Sequence, residues 1–113
     1  MLSIADCQKV IDSSEKIQQV IEVATRLRKA ETVDKYKDYI IGLKSQLLHA
    51  KIYFTNLKRS LNPTQAASHG EILESKIAQC TALVGFLQKT LEEIAGRTRP
   101  IVESSEISRA KPT

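Results

Sequence analysis

The feature that most limits what this chain can become is an unbroken apolar seam through its middle. Val33, Tyr36, Ile40, Leu43, Leu47, Ala50, Phe54, Leu57 and Leu61 follow one another at alternating steps of four and three residues. That spacing falls on one face only in an α-helix, and sustained over about four heptads it packs as a coiled-coil-type seam. A half-buried strand would need strict alternation of apolar and polar residues instead. The seam therefore predicts one long helix over residues 32–61, with Thr32 as a plausible cap.

The segments on either side read the same way. Over residues 3–30, Ser3 is placed to cap a helix and Asp6 lies in its first turn, where a carboxylate suits the dipole. Val10, Ile17, Val20, Ile21, Ala24 and Leu27 form its apolar series, and Arg26, Arg28 and Lys29 meet the negative end of the helix. Asn62 followed by Pro63 marks a stop and a restart, with Asn as cap and Pro at the first helical position. From there Ala66, Gly70, Leu73, Ile77, Cys80, Val84, Leu87, Leu91 and Ile94 give a second seam, which Gly96 is suited to end. Ser68 to Glu71 also reads as a capping box, so the main helix has a second candidate start there.

Short links between helices force neighbours antiparallel. The expected fold is all-α: an antiparallel up-down-up bundle of three long helices with coiled-coil-like packing. Residues 1–96 form this bundle and residues 97–113 a flexible basic, Ser-containing tail. The 113 residues suit one domain. Aromatics are only 4% of the chain, so the core must be aliphatic. The link at residues 30–32 holds no Gly or Pro, which leaves open one continuous helix across the first two segments.

Cys7 and Cys80 are the only cysteines, outside any Cys-x-x-Cys pattern, and read as small buried hydrophobes in a reducing compartment. In the bundle they are expected roughly 15 Å apart along the axis, too far to bridge. No stretch of ~20 apolar residues exists. The first residues lack the apolar run of a signal peptide. A cytoplasmic, intracellular location is the expectation.

Catalysis finds little support in the residues. There is no Gly-rich phosphate loop, no His-Glu-x-x-His and no Cys/His metal spacing. His49 falls on the solvent side of the middle helix and His69 near a helix start, without flanking residues that would make either reactive. A non-enzymatic protein with no catalytic residues, metal or cofactor is expected.

Charge and surplus apolarity point to binding instead. The net charge is +4, and the middle segment alone holds six basic residues against two acidic ones. Lys37, Lys44, Lys51 and Lys58 recur every seven residues, a ladder beside the seam. Such lysines either pair with acids on a neighbouring helix or border a groove for an acidic partner. Arg26, Arg28, Lys29, Lys35, Lys37, Arg97 and Arg99 would gather at one pole of the bundle, a candidate anion site for nucleic acid or acidic membrane. Few aromatics accompany them, so base stacking has little to work with.

Beyond the ladder, Ile41, Leu48 and Ile52 make a second apolar face, with Ser45 among them. A helix apolar on two sides asks for neighbours on two sides. Ile72 and Phe86 likewise lie off the seam of the last helix, and Tyr39 and Tyr53 widen the main face of the middle one. The expected function is a small protein-interaction module: an adaptor, chaperone-like or assembly subunit that binds a helical partner or a second copy of itself. Ile41, Leu48 and Ile52 would carry the contact, bordered by Lys44, Lys51 and Lys58. The alternative is nucleic-acid or acidic-membrane binding through the basic pole and ladder.

Overall fold

The structure, a computed structural model, describes residues 3–98. Among these residues there are four helices and no strand: α1 (Ile4–Arg26), α2 (Ala30–Lys35), α3 (Lys37–Arg59) and α4 (Pro63–Thr98). Of the expected tail, Arg97 and Thr98 belong to α4, while Arg99 and everything after it lie outside the described residues.

α1 begins at a reciprocal cap. Ser3 Oγ accepts the Asp6 N–H at 3.1 Å and Asp6 Oδ2 accepts the Ser3 N–H at 3.2 Å. Two of the orphan N–H groups at the helix start are thereby satisfied. The buried face is Cys7, Ile11, Ser14, Ile17, Ile21 and Ala24. Ser14 sits in this apolar stripe because its hydroxyl donates to the Val10 carbonyl at 2.7 Å. The expected inward series is corrected at two positions: Val20 and Leu27 are exposed.

α1 and α2 are not one continuous helix. Arg28 adopts φ 57, the left-handed region, and reverses the chain without a glycine. Its N–H bonds the Thr25 carbonyl at 3.1 Å and the Lys29 N–H bonds the Ala24 carbonyl at 2.8 Å. This pair of bonds is the Schellman closure, which satisfies carbonyls the helix end would leave open. The break falls two to four residues earlier than expected. Thr32 is consequently inside α2 rather than capping it, and its own N–H bonds the Lys29 carbonyl at 3.0 Å.

The expected middle helix is divided at Tyr36, which has φ −93 and ψ 7. The chain tightens there through a bond from the Tyr36 N–H to the Val33 carbonyl at 3.0 Å, then resumes with Ile40 N–H to Tyr36 carbonyl at 2.8 Å. The seam survives the break. Val33 and Ile40 are both buried and Tyr36 packs against the core between them. Ile40, Leu43, Leu47, Ala50 and Phe54 are the buried residues of α3.

α4 opens as the sequence predicts. Asn62 Oδ1 accepts the Gln65 N–H at 2.8 Å and Gln65 Oε1 accepts the Asn62 N–H at 3.1 Å, with Pro63 first in the helix. The alternative start at Ser68 is not used: its hydroxyl donates to the Thr64 carbonyl at 3.2 Å from within an unbroken helix. Gly96 does not end the helix either, since α4 continues to Thr98. At 36 residues it is the longest element, about 54 Å at 1.5 Å per residue.

α3 and α4 share the most extensive helix–helix interface, and α1 packs on both. The links between α3 and α4 run in opposite numerical order: Lys44 to Gln88 and Lys58 to Glu74, with Asp34 of α2 continuing the series to Arg97. On the other side Lys76 Nζ donates to Gln8 Oε1 at 2.5 Å. One core joins all four helices, and Leu73, Cys80, Leu83, Leu87 and Ile94 are its contribution from α4.

Both cysteines are buried and free. The bond from Lys76 to Gln8 sets the start of α1 only about one helical turn from Cys80, in place of the expected ~15 Å offset. Burial pushes the Cys80 thiol above its ordinary value, Cys7 adds to the rise, and Lys51 and Lys76 oppose it more weakly. The Cys7 thiol is raised by burial and by Asp6.

Candidate functional site

α3 presents two faces to two environments. Its seam lies in the core, while Ile41, Leu48 and Ile52 are 46%, 41% and 57% exposed. Helical geometry sets these three on one strip, since Ile41, Ser45, Leu48 and Ile52 are spaced by four, three and four residues. Each leaves apolar surface in water where a polar residue would serve the helix equally well. Their sharing one strip follows from spacing alone.

The lysine ladder separates the strip from the seam. Lys58 makes an ion pair with Glu74 of α4 and Lys44 Nζ donates to Gln88 Oε1. Gln88 is itself fixed by donating to Glu92 Oε2 at 2.9 Å. Two of the ladder's four lysines thus tie α3 to α4, as stems laid over a seam edge do. Lys51 is half-buried and Lys37 exposed.

Of the residues expected at the basic pole, Arg26, Arg28, Lys29, Lys35, Lys37 and Arg97 are described and exposed, but they do not form one cationic surface. Arg97 forks onto Asp34, with Nη2 at 2.7 Å and Nε at 3.2 Å from the same Oδ1. Arg28 and Arg97 line one hollow together with Glu93, and Arg26 lines the neighbouring α1–α4 groove with Glu22, Lys89 and Glu93. Lys29 lies in a third hollow, beside Val23 and Leu27. Lys35 and Lys37 are exposed. Acidic side chains therefore interleave with the cations where the helices meet.

Two features escaped the sequence. Phe86 does not stand on the far side of α4: it is half-buried against the core and lines the α1–α4 groove with Ile21 and Thr90. Leu83 and Thr90 are buried beside it, a second inward stripe that follows from α1 packing there. Conversely, Val20, Val23 and Leu27 form a second exposed apolar patch, around a hollow of about 410 Å³. The spacing of Val20 and Leu27 reads as a core face, and only the register of α1 on its neighbours shows otherwise. Ile72 is exposed as expected; Tyr39 is exposed, whereas Tyr53 packs edge-on to Phe54 at 5.9 Å between ring centroids.

The interior holds no charged residue among those described. Its two buried polar side chains, Ser14 and Thr90, each donate to a backbone carbonyl of the preceding turn. His49 and His69 are exposed. Among the described residues no three His, Cys, Asp or Glu side chains converge as metal ligands, and no helix is long and apolar enough to cross a membrane. The class of molecule defined here is an all-helical protein whose most distinctive surface is an apolar strip with a basic border. Comparison with known proteins yields no match: no protein-family model, no curated protein and no solved structure matches the chain.

Proposed function

We propose that this protein is a non-enzymatic interaction module, an up-down-up bundle in which α2 and α3 together form the middle arm, and that it docks a helix from another protein or a second copy on the outer strip of α3. The observation that carries this reading is the exposure of Ile41, Leu48 and Ile52 side by side. Covering three such side chains removes enough apolar surface from water to supply on the order of 3 kcal/mol, a useful anchor for an interface. Ligation of Lys44 and Lys58 to α4 supports it further, because those bonds hold the border in place before any partner arrives. The basic pole is the weaker candidate, since Asp34, Glu22 and Glu93 interleave with its cations. An intracellular setting suits the two free thiols.

The test is Leu48→Asp combined with Ile52→Asp. Both residues are solvent-exposed, so circular dichroism should show the helices intact. Binding to a helical partner, or self-association seen by light scattering, should be lost. Retention of both would remove this strip from consideration.

A further inference from the structure

The outer strip of α3 is bordered by basic residues as well as apolar. From Lys37 to Arg59 the helix carries five basic residues, and Asp38 is its only acid. Lys58 is neutralised by Glu74. Lys44 is not, because its partner is the uncharged amide oxygen of Gln88. Lys51 has no acidic partner among the described residues. On a helix surface, residues three and four apart are neighbours. Lys44 therefore lies between Ile41 and Leu48, and Lys51 lies beside Leu48 one turn on. Two lysines without an acidic partner thus border the apolar strip along its α4 flank.

These charges discriminate between occupants. The positions 41, 45, 48 and 52 read the same in both directions, so two copies could lay their strips together antiparallel. That pairing brings Lys44 of each copy alongside Lys51 of the other, on the same flank. Like charges set together in a drying interface are costly, and Asp38, the one acid of α3, lies across the strip from them. A helix with an acidic border turns the same lysine row into attraction and speeds encounter.

We propose that the α3 strip is the seat of an acidic amphipathic helix from a different protein. Such a helix sets apolar residues at alternating three- and four-residue steps against Ile41, Leu48 and Ile52, with Asp or Glu one turn away against Lys44 and Lys51. This rests on the strip being a docking face.

The experiment uses the full chain and two synthetic peptides of about three heptads. Both carry the same leucine stripe, one bordered by Glu and the other by Lys. Binding is read by fluorescence anisotropy between about 50 and about 200 mM salt, alongside the solution mass of the chain alone. The Glu peptide should bind at least about tenfold more tightly than the Lys peptide at low salt, with the gap narrowing as salt rises. Lys44→Glu with Lys51→Glu should reverse the preference, and Lys44→Gln with Lys51→Gln should abolish it, both pairs keeping the helical spectrum. Equal affinity for the two peptides, lost on Leu48→Asp, overturns the charge selection while leaving the docking face. A dimer that Leu48→Asp dissociates replaces the acidic helix by a second copy and also leaves the docking face. If neither peptide binds and the mass is the same with and without Leu48→Asp, both the occupant and the docking face are wrong.

Discussion

Arg28 shows how much a single backbone angle decides. An L-residue other than Gly, Asn or Asp in the left-handed region costs about 1–2 kcal/mol, and here it is tolerated because the Schellman bonds to Thr25 and Ala24 need that turn. Arg28→Gly should therefore raise stability by about 0.5–1 kcal/mol, after allowing for the greater freedom glycine loses on folding. Urea denaturation measures this; a loss of stability would assign the Arg28 side chain a contact worth more than the strain. The two thiols make a second prediction. Burial raises both above their ordinary value, so the folded state keeps its thiol protons while the unfolded chain releases them. Stability is then flat below the ordinary thiol range and falls as pH rises through it, because the native state binds more protons there. Thermal melts from about pH 7 to about pH 10 should show this decline, and it should weaken in Cys80→Ala. Neither the strained angle nor the shared environment of the thiols was legible in the sequence, since both depend on where one helix ends against another.

At the scale of elements, the seam of α3 and the cap of α4 were readable because they are local. Alternating steps of three and four residues fix a face, and Asn62, Pro63 and Gln65 satisfy the helix start among themselves. α1 was harder. Cys7 and Ser14 carry little apolar signal, yet both are fully buried, while Val20 and Leu27 carry a strong one and are exposed. The face that α1 buries is thus rotated from the one its most apolar residues suggest. Helix interiors also hold an unclaimed reserve. Gly85 is exposed in mid-α4, and a methyl group there would meet nothing within 4 Å. Gly85→Ala should stabilise the chain by about 0.5–1 kcal/mol, measured as a shift in the urea midpoint at constant slope. An unchanged or lowered midpoint would mean that the glycine serves a contact made outside the isolated chain.

At the scale of the molecule, one core connects all four helices, so they should melt together. Leu47 is fully buried at its centre and Leu27 is 59% exposed. Leu47→Ala should cost about 2–5 kcal/mol, and Leu27→Ala no more than about 0.5 kcal/mol. Equal costs would mean that the Val20–Leu27 patch is covered in solution. The ion pairs that tie α4 to α3 and to α2 contribute little to this balance, because both are partly exposed and screened by water.

The sequence by itself determined that the described chain is helical, that Asn62 and Pro63 can open a helix, which residues of α3 face inward and which form its outer strip. Each of these follows from spacing along one helix or from side chains bonding their own backbone nearby. Only the tertiary structure decided that the expected middle helix divides at Tyr36, that α1 turns its Cys7–Ala24 stripe inward, and that Phe86 faces a neighbour. It also decided which lysines meet an acid: Lys58 pairs with Glu74, whereas Lys44 meets an amide. Those outcomes depend on the register between helices, and register is set by how whole faces fit together rather than by any spacing within one of them.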